Sequence, residues 1–376
     1  METLLTIFVG YLLPFLAIIT VVVFFHELGH FWVARKCGVK VEAFAIGFGR
    51  ALTSWTDRHG TVWKICWLPL GGYVKFYGDD SVASNPDADK LAQIPESDRE
   101  GIFHFKPLWQ RTAVVAAGPF ANFILAIFIF AGMYTILGER VVTPVVETVF
   151  EQSAAERAGI ISGDVILAVD GEDIISFSEV RRIVSVNPET DLVFTVERGG
   201  VLKNLVARPD LIEEKDRFGN VYRVGRLGFT NTNDPAYVKH IRHNPLVALV
   251  KGVEETAFII EQTFVSLGRI ISGRESADAL GGPIRIAQIS GQMASIGMIA
   301  LINLAAVLSV SIGLINLFPI PMLDGGHLLF YGFEAALGKP LPENIQEIGM
   351  RIGLALVLML FVFVTWNDLT QPNLFN

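Results

Sequence analysis

The sequence predicts a polytopic α-helical membrane protein with four transmembrane helices, a membrane-associated β region on the cytosolic side and an α+β domain outside. Three observations predict it. Only 18% of the 376 residues are charged and 51% are hydrophobic, whereas soluble globular chains carry about 25% charged residues. Mean hydropathy is +0.47. Residues 4–25, 112–138, 286–323 and 352–367 contain no Asp, Glu, Lys or Arg, and about 20 apolar residues suffice to span a bilayer. The apolar content excludes intrinsic disorder. A net charge of −8 offers no basic footprint for nucleic acid. Cys37 and Cys66 are too few for a disulfide framework or a four-cysteine zinc site. On the cytosolic side they are expected as free thiols.

The first transmembrane helix falls within residues 1–33. A cleaved signal peptide is disfavoured there, because Glu2 stands where a positive region belongs and no small-residue cleavage site follows. Residues 34–111 carry β-branched and aromatic runs broken by glycine, which predict short strands and hairpins over 39–78. A polar loop follows over 79–100, then an interfacial segment rich in aromatic and basic residues. The second transmembrane helix occupies 112–138. Residues 139–210 alternate strand runs (145–149, 165–169, 192–197, 205–207) with helical patterns (154–158, 178–186), a compact α+β domain. Within 211–290, residues 211–230 read as a hairpin around Arg217-Phe218-Gly219-Asn220. Residues 245–272 read as an amphipathic helix, since Lys251, Glu254, Glu255 and Glu261 interrupt the apolar stripe. The third transmembrane helix is placed at 291–318. A loop and cytosol-side helix follow at 319–351, and the fourth transmembrane helix at 352–367.

Positive charge near the spans orients them. Arg35, Lys36 and Lys40 follow the first, Lys106 and Arg111 precede the second, and Lys339 and Arg351 lie between the third and fourth. Both termini are therefore expected outside, 34–111 and 319–351 in the cytosol, and 139–290 outside.

The chemistry concentrates in two places. His26-Glu27-Leu28-Gly29-His30 closes the first span. On a helix, positions four apart share a face, so His26 and His30 can present ring nitrogens to one zinc ion, with Glu27 beside them as a base. Ionisable groups at hydrocarbon depth are costly and mark function. A polar interfacial cap is the bland alternative. A catalytic zinc needs a third protein ligand and an open position. Asn316-Leu317-Phe318-Pro319-Ile320-Pro321-Met322-Leu323-Asp324-Gly325-Gly326-His327 supplies candidates. Its prolines must break the third span, and broken backbone at that depth lines a cavity or is buried in protein. Asp324 then meets the histidines on the same side. His327 is a rival, since imidazole and carboxylate are both acceptable ligands, and Asp324 could instead cap the following helix. Asn316 or Asn122 could donate a hydrogen bond to substrate backbone or oxyanion, with helix–helix bonding the alternative for Asn122. The strands of 39–78 could add an extended substrate to their edge, Gly71 and Gly72 permitting close approach, or could merely seal the cytosolic mouth.

The run Ala158-Gly159-Ile160-Ile161-Ser162-Gly163-Asp164-Val165-Ile166-Leu167-Ala168-Val169-Asp170-Gly171 resembles the circularly permuted bacterial PDZ domain, in one copy. Nearly the whole chain resembles the site-2 protease family of intramembrane zinc metalloproteases, most closely its RseP/MmpA branch. The motifs are His26-Glu27-x-x-His30, the Gly47-Phe48-Gly49 turn, Leu70-Gly71-Gly72-Tyr73-Val74-Lys75, Gly118-Pro119-Phe120-Ala121-Asn122 and Asn316-Leu317-Phe318-Pro319-Ile320-Pro321-x-Leu323-Asp324-Gly325. The resemblance implies that His26, His30 and Asp324 bind Zn2+, that Glu27 is the general base, that Asn316 helps hold substrate, and that His327 is no ligand. Gly47 and Gly49 join Gly71, Gly72, Asn316 and Asn122 as expected substrate contacts. It further implies a bacterial inner-membrane enzyme whose partners are the lipid bilayer and transmembrane segments of single-pass proteins. These include pre-cleaved anti-sigma factors and remnant signal peptides, with the PDZ domain admitting trimmed substrates. Some members carry two PDZ domains, whereas this chain shows one. A zinc transporter would be expected to spread ligands along a path and show repeat symmetry. A non-enzymatic PDZ scaffold would leave Glu27 without a role.

Overall fold

The computed structural model describes residues 8–78, 96–215, 221–232, 234, 237–273 and 281–370. Among the described residues, four helices are long and apolar enough to cross a membrane: Phe8–Lys36, Leu108–Ile136, Met298–Asn316 and Asn344–Thr370. The chain divides into two compact units, residues 1–130, 249–265 and 277–376 on one hand, and 131–248 with 266–276 on the other.

In the first unit a π-helical turn (Phe8–Leu12) leads into α1 (Leu13–Lys36), with Pro14 in its first turn, where a missing N–H costs nothing. Next come β1 (Val41–Thr56) and β2 (Val62–Phe76). Sequence patterning predicts several short strands, and the structure shows two long strands, each bent midway. Residues Ala43 to Ile46 pair with Val62 to Ile65 on one side and with Gly72 to Lys75 on the other, while Thr53 to Thr56 pair back onto Val62 to Ile65. Gly47 (φ 82°) and Gly71 (φ 90°) allow the bends, in a backbone region that side chains disfavour. Phe31 and Ala34 of α1 pack with Val41, Phe44, Val74 and Phe76 of this sheet. Phe44 stacks tilted on Trp63 at 4.4 Å and meets Phe31 edge-on at 5.4 Å. This cluster fixes the sheet against the end of α1 that carries the histidines.

Helix α2 (Leu108–Ile136) runs continuously through Pro119. Close to the chain's other end, the uncharged stretch expected to hold one span from residue 291 is two helices. α6 (Pro283–Ile296) stops at Gly297 (φ 139°), and α7 (Met298–Asn316) begins immediately after it. At 1.5 Å per residue, 19 residues make about 28 Å, close to the hydrocarbon thickness of about 30 Å. Then come α8 (Asp324–Leu337) and α9 (Glu343–Thr370), the latter longer at both ends than the 352–367 expected.

The second unit holds an antiparallel sheet built from β5 (Val165–Val169), β6 (Glu172–Asp173), β7 (Leu192–Arg198) and β8 (Val201–Ala207), in the order β6-β5-β7-β8. It packs with α3 (Ala154–Arg157) and α4 (Phe177–Val186) around Ile160, Ile166, Val180, Phe194 and Val196. Ser176 and Glu179 form a reciprocal capping box on α4. β4 (Val146–Val149) pairs with β11 (Phe229–Asn231), and β3 (Glu139–Val142) with β12 (Val238–Ile241). β9 (Asp210–Lys215) and β10 (Val221–Arg226) are the arms of the expected hairpin. Its turn residues Arg217 to Asn220, and most of the polar loop expected at 79–100, lie outside the described residues. The amphipathic pattern over 245–272 forms one helix, α5 (Pro245–Ile271), capped by the Asn244 side chain.

Candidate metal centre

α1 brings His26 and His30 to one face, their rings edge to face with centroids 4.8 Å apart. Their Nε2 atoms lie 3.2 Å from each other. Asp324 Oδ2 lies 3.2 Å from His26 Nε2 and 3.5 Å from His30 Nε2. Among the described residues this is the only group of three or more His, Cys, Asp or Glu placed to hold a metal. Zinc bonds of about 2.0–2.1 Å in a tetrahedron hold ligand atoms about 3.3 Å apart, so the triangle has the right size. Asp324 Oδ2 is buried and accepts no hydrogen bond, an arrangement that costs energy unless a cation is the intended partner. The donor set of two imidazoles and one carboxylate fits zinc with a position left for substrate.

Local packing dictates these positions. His30 Nδ1 lies 2.9 Å from the carbonyl of Val114 on α2, which fixes the ring with Nε2 toward the cluster. α2 can lie this close only because of Gly118. A Cβ there would sit 2.2 Å from His30 Nε2 and 2.9 Å from His26 Cε1. A Cβ at Gly29 would likewise meet the Ala117 carbonyl oxygen at 2.3 Å, so the two helices touch backbone to backbone.

Asp324 is positioned by a tight loop. Leu323 N donates to the Ile320 carbonyl at 3.0 Å. A Cβ at Gly325 would strike the Phe318 oxygen at 2.2 Å, and one at Gly326 the Ile320 oxygen at 2.4 Å. Met322 adopts φ 89°, a strained conformation for a side-chain-bearing residue. Gly353 of α9 abuts the Pro321 carbonyl, so the fourth span backs the loop. The capping alternative for Asp324 is not met: Leu323 holds the cap position, no side chain caps α8, and Asp324 is its first helical residue.

A cavity of about 710 Å3 opens on the cluster, lined by His26, Glu27, Asp324, Gly72, Asn316 and Met322 among others. Glu27 adjoins the β sheet, since a Cβ at Gly72 would lie 3.4 Å from its Cγ. Farther along the cavity, Arg111 grips both carboxylate oxygens of Glu334 at 3.1 and 2.5 Å. His327 also lines the cavity but is not in the ligand group. Burial pushes its imidazole below the usual value against the pull of Asp324, and His104 and His30 add to that lowering.

The expected substrate contacts separate. Asn316 and Gly72 line the cavity, whereas Gly47, Gly49 and Gly71 are not among its lining residues. Gly71 packs on the Phe48 ring and Gly47 on the Leu68 carbonyl, so they shape the sheet. Asn122 is 0% exposed, with Nδ2 3.4 Å from His26 Nδ1. Its backbone carbonyl accepts from Ser309 of α7 at 2.8 Å.

Sequence reasoning missed the anchor between α1 and the sheet. Arg35 donates to both oxygens of Asp57 at 3.0 and 2.8 Å, and Asp57 also accepts from Trp63 Nε1, His59 N and Thr61 N. Burial opposes the charged form of Asp57, but these hydrogen bonds and Arg35 hold its carboxyl below the usual range. Arg35 one residue before the helix end was the available signal, yet nothing in the pattern pairs it with a turn residue 22 positions on.

Known proteins resemble this chain over nearly its whole length. The family model for peptidase family M50 matches residues 14–360. A protein of Agrobacterium fabrum, provisionally named a zinc metalloprotease, is 48% identical over 96% of this chain and 96% of its own. One of Rhizobium meliloti, named in the same way, is also 48% identical, with the same coverage of both chains. The metalloprotease MmpA of Caulobacter vibrioides is 39% identical over 97% of this chain and 96% of its own. The chain belongs to peptidase family M50, the site-2 protease family, and is a zinc metalloendopeptidase of the multi-pass membrane type.

Proposed function

We propose that this enzyme hydrolyses peptide bonds inside the transmembrane segments of single-pass membrane proteins, from an active site on the cytosolic side of the bacterial inner membrane. The carrying observation is that a partly buried cluster of two histidines and one carboxylate lies toward the end of an apolar helix and opens into a cavity walled by a β-sheet edge. His26, His30 and Asp324 hold the zinc, which when bound polarises the scissile carbonyl and makes water nucleophilic near neutral pH. Glu27, on the cavity wall, takes a proton from the attacking water and delivers it to the leaving amine. Asn316, also on the wall, donates a hydrogen bond to the substrate backbone.

A helical substrate hides its peptide bonds in its own hydrogen bonds and must be extended first. Residues 72 to 76 supply the edge strand for it, since they pair with β1 on one side and Gly72, Tyr73, Val74 and Phe76 line the cavity. The unit containing residues 139–210 acts outside as a PDZ-like domain that admits substrates already trimmed there. This makes the cut the second in a regulated sequence, as for anti-sigma factors, with remnant signal peptides a related substrate. A transporter reading gains no support, as the described residues hold a single ligand group.

The test is reconstitution of the purified protein with zinc and a single-span substrate, alongside Glu27→Gln. Cleavage by the parent, none by the variant and zinc retained in both are expected. Cleavage that survives Glu27→Gln rejects Glu27 as the base.

A further inference from the structure

We infer that Asn122 is the positioning residue for His26: its side-chain oxygen accepts the ring Nδ1–H in the metal-loaded protein and so aims Nε2 at the metal. The inference rests on the metal-centre reading. His26 Nε2 faces Asp324 and His30 at 3.2 Å each, so as a ligand it must carry its hydrogen on Nδ1. Only an acceptor suits that position. Asn122 is the side chain hydrogen-bonded there, with Nδ2 3.4 Å from Nδ1, while its Oδ1 is buried without a partner. The two ends of an amide have the same shape, so a half-turn about the last side-chain bond brings Oδ1 to the ring. One amide can thus present either a donor or an acceptor to the ring.

The rest of α2 supports the assignment. Val114, Gly118 and Asn122 are spaced by four and share a helix face. Val114 offers its carbonyl to His30 at 2.9 Å, Gly118 gives the rings room, and Asn122 meets His26. Each imidazole therefore has its own acceptor on one stripe of α2. The Asn122 backbone is held separately by Ser309, leaving the amide for the ring. Such partners set ring orientation and basicity, and removing one costs about 10–100-fold in metal affinity.

The test measures zinc affinity of the full chain in detergent by competition with a chromogenic chelator, and follows thermal unfolding of the metal-free forms. Asn122→Leu should bind zinc about 10–100-fold more weakly. Asn122→Asp, an acceptor of the same shape, should stay within about threefold of the parent or bind more tightly. Ser309→Ala should leave affinity unchanged, since its contact is structural. In zinc-loaded protein with labelled histidine, a downfield Nδ1–H resonance from His26 should persist in Asn122→Asp and vanish in Asn122→Leu. Parental affinity in Asn122→Leu overturns the inference. So does equal loss in Asn122→Leu and Asn122→Asp when both unfold at the parental temperature. A parent that binds no zinc overturns the metal-centre reading as well, whereas the other two outcomes strike this inference alone.

Discussion

Gly118→Ala puts one carbon where the structure has no room for it. The new Cβ would lie 2.2 Å from His30 Nε2, 2.5 Å from His30 Cε1 and 2.9 Å from His26 Cε1. Comfortable non-bonded separation is about 3.5 Å, so the His30 overlap exceeds about 1 Å. The backbone of α2 lies close against Gly29, where an added Cβ would meet the Ala117 oxygen at 2.3 Å. The rings must yield instead, and His30 can do so only by stretching its 2.9 Å bond to Val114. Ring rotation is cheap for the fold, and overpacking of this kind costs about 1–3 kcal/mol. Ligation tolerates only about 0.2 Å. Zinc affinity should therefore drop by at least about 100-fold, beyond the loss of an orienting partner. Chelator competition measures it, with unfolding temperature recorded in parallel. Gly132→Ala in the same helix is the control, because its Cβ would meet nothing within 4 Å, and it should bind zinc as the parent does. Parental zinc affinity in Gly118→Ala would show that the rings do not lie against this glycine and would refute the packing argument.

Three further outcomes are expected. Asp164 is buried and paired with Arg198 at 2.7 Å, with Ile161 N donating to it at 2.9 Å. Burial works against its charge, but the Arg198 hydrogen bonds, the Ile161 N–H and nearby Lys203 hold its carboxyl below the usual range. The stability it contributes is thus full above about pH 4, its unfolded value, and is lost as pH falls through the lower folded value. Hydrogen exchange of the 131–248 unit should show that acid limb in the parent and a flatter one in Asp164→Asn. Asp164→Ala should raise exchange across the unit, because it removes the partner of Arg198 and of the Ile161 N–H, and an unchanged exchange rate would contradict the assignment. Gly72→Val should slow cleavage while sparing zinc, because its Cβ would meet the Ala45 oxygen at 2.7 Å and push the edge strand out of register beside Glu27; turnover at parental rate would remove the sheet edge from the mechanism. Asp57→Ala should loosen the sheet, raising its exchange near residues 53–65 and lowering cleavage with zinc content unchanged. Unaltered exchange there would dismiss Arg35 and Asp57 as the anchor.

The sequence makes the outline legible because its two strongest signals are local. An i, i+4 histidine pair on an uncharged helix and a proline-broken span ending in Asp324 need no tertiary information to be read as ligands. What stayed hidden depends on neighbours. Asp324 and His327 share a face of α8, and both are good ligands, so only the loop geometry separates them. Gly118 is one glycine among several in apolar helices until the rings are seen against it. Asn122 reads equally as substrate donor or helix contact, and its approach to His26 is visible only in the fold. The β-branched and aromatic runs over 39–78 mark strands, but not that residues 43 to 46 pair on both sides, since register depends on where Gly47 and Gly71 bend the chain. Gly297 sits inside an uncharged run, and its φ of 139°, which composition does not show, separates two helices.

The convergence of two stretches nearly 300 residues apart on one ion is tested most directly by the zinc content of purified Asp324→Ala and His327→Ala beside the parent. One equivalent of zinc is expected in the parent and in His327→Ala, with zinc lost from Asp324→Ala. Zinc retained without the Asp324 carboxylate and lost without the His327 imidazole would contradict the assigned centre.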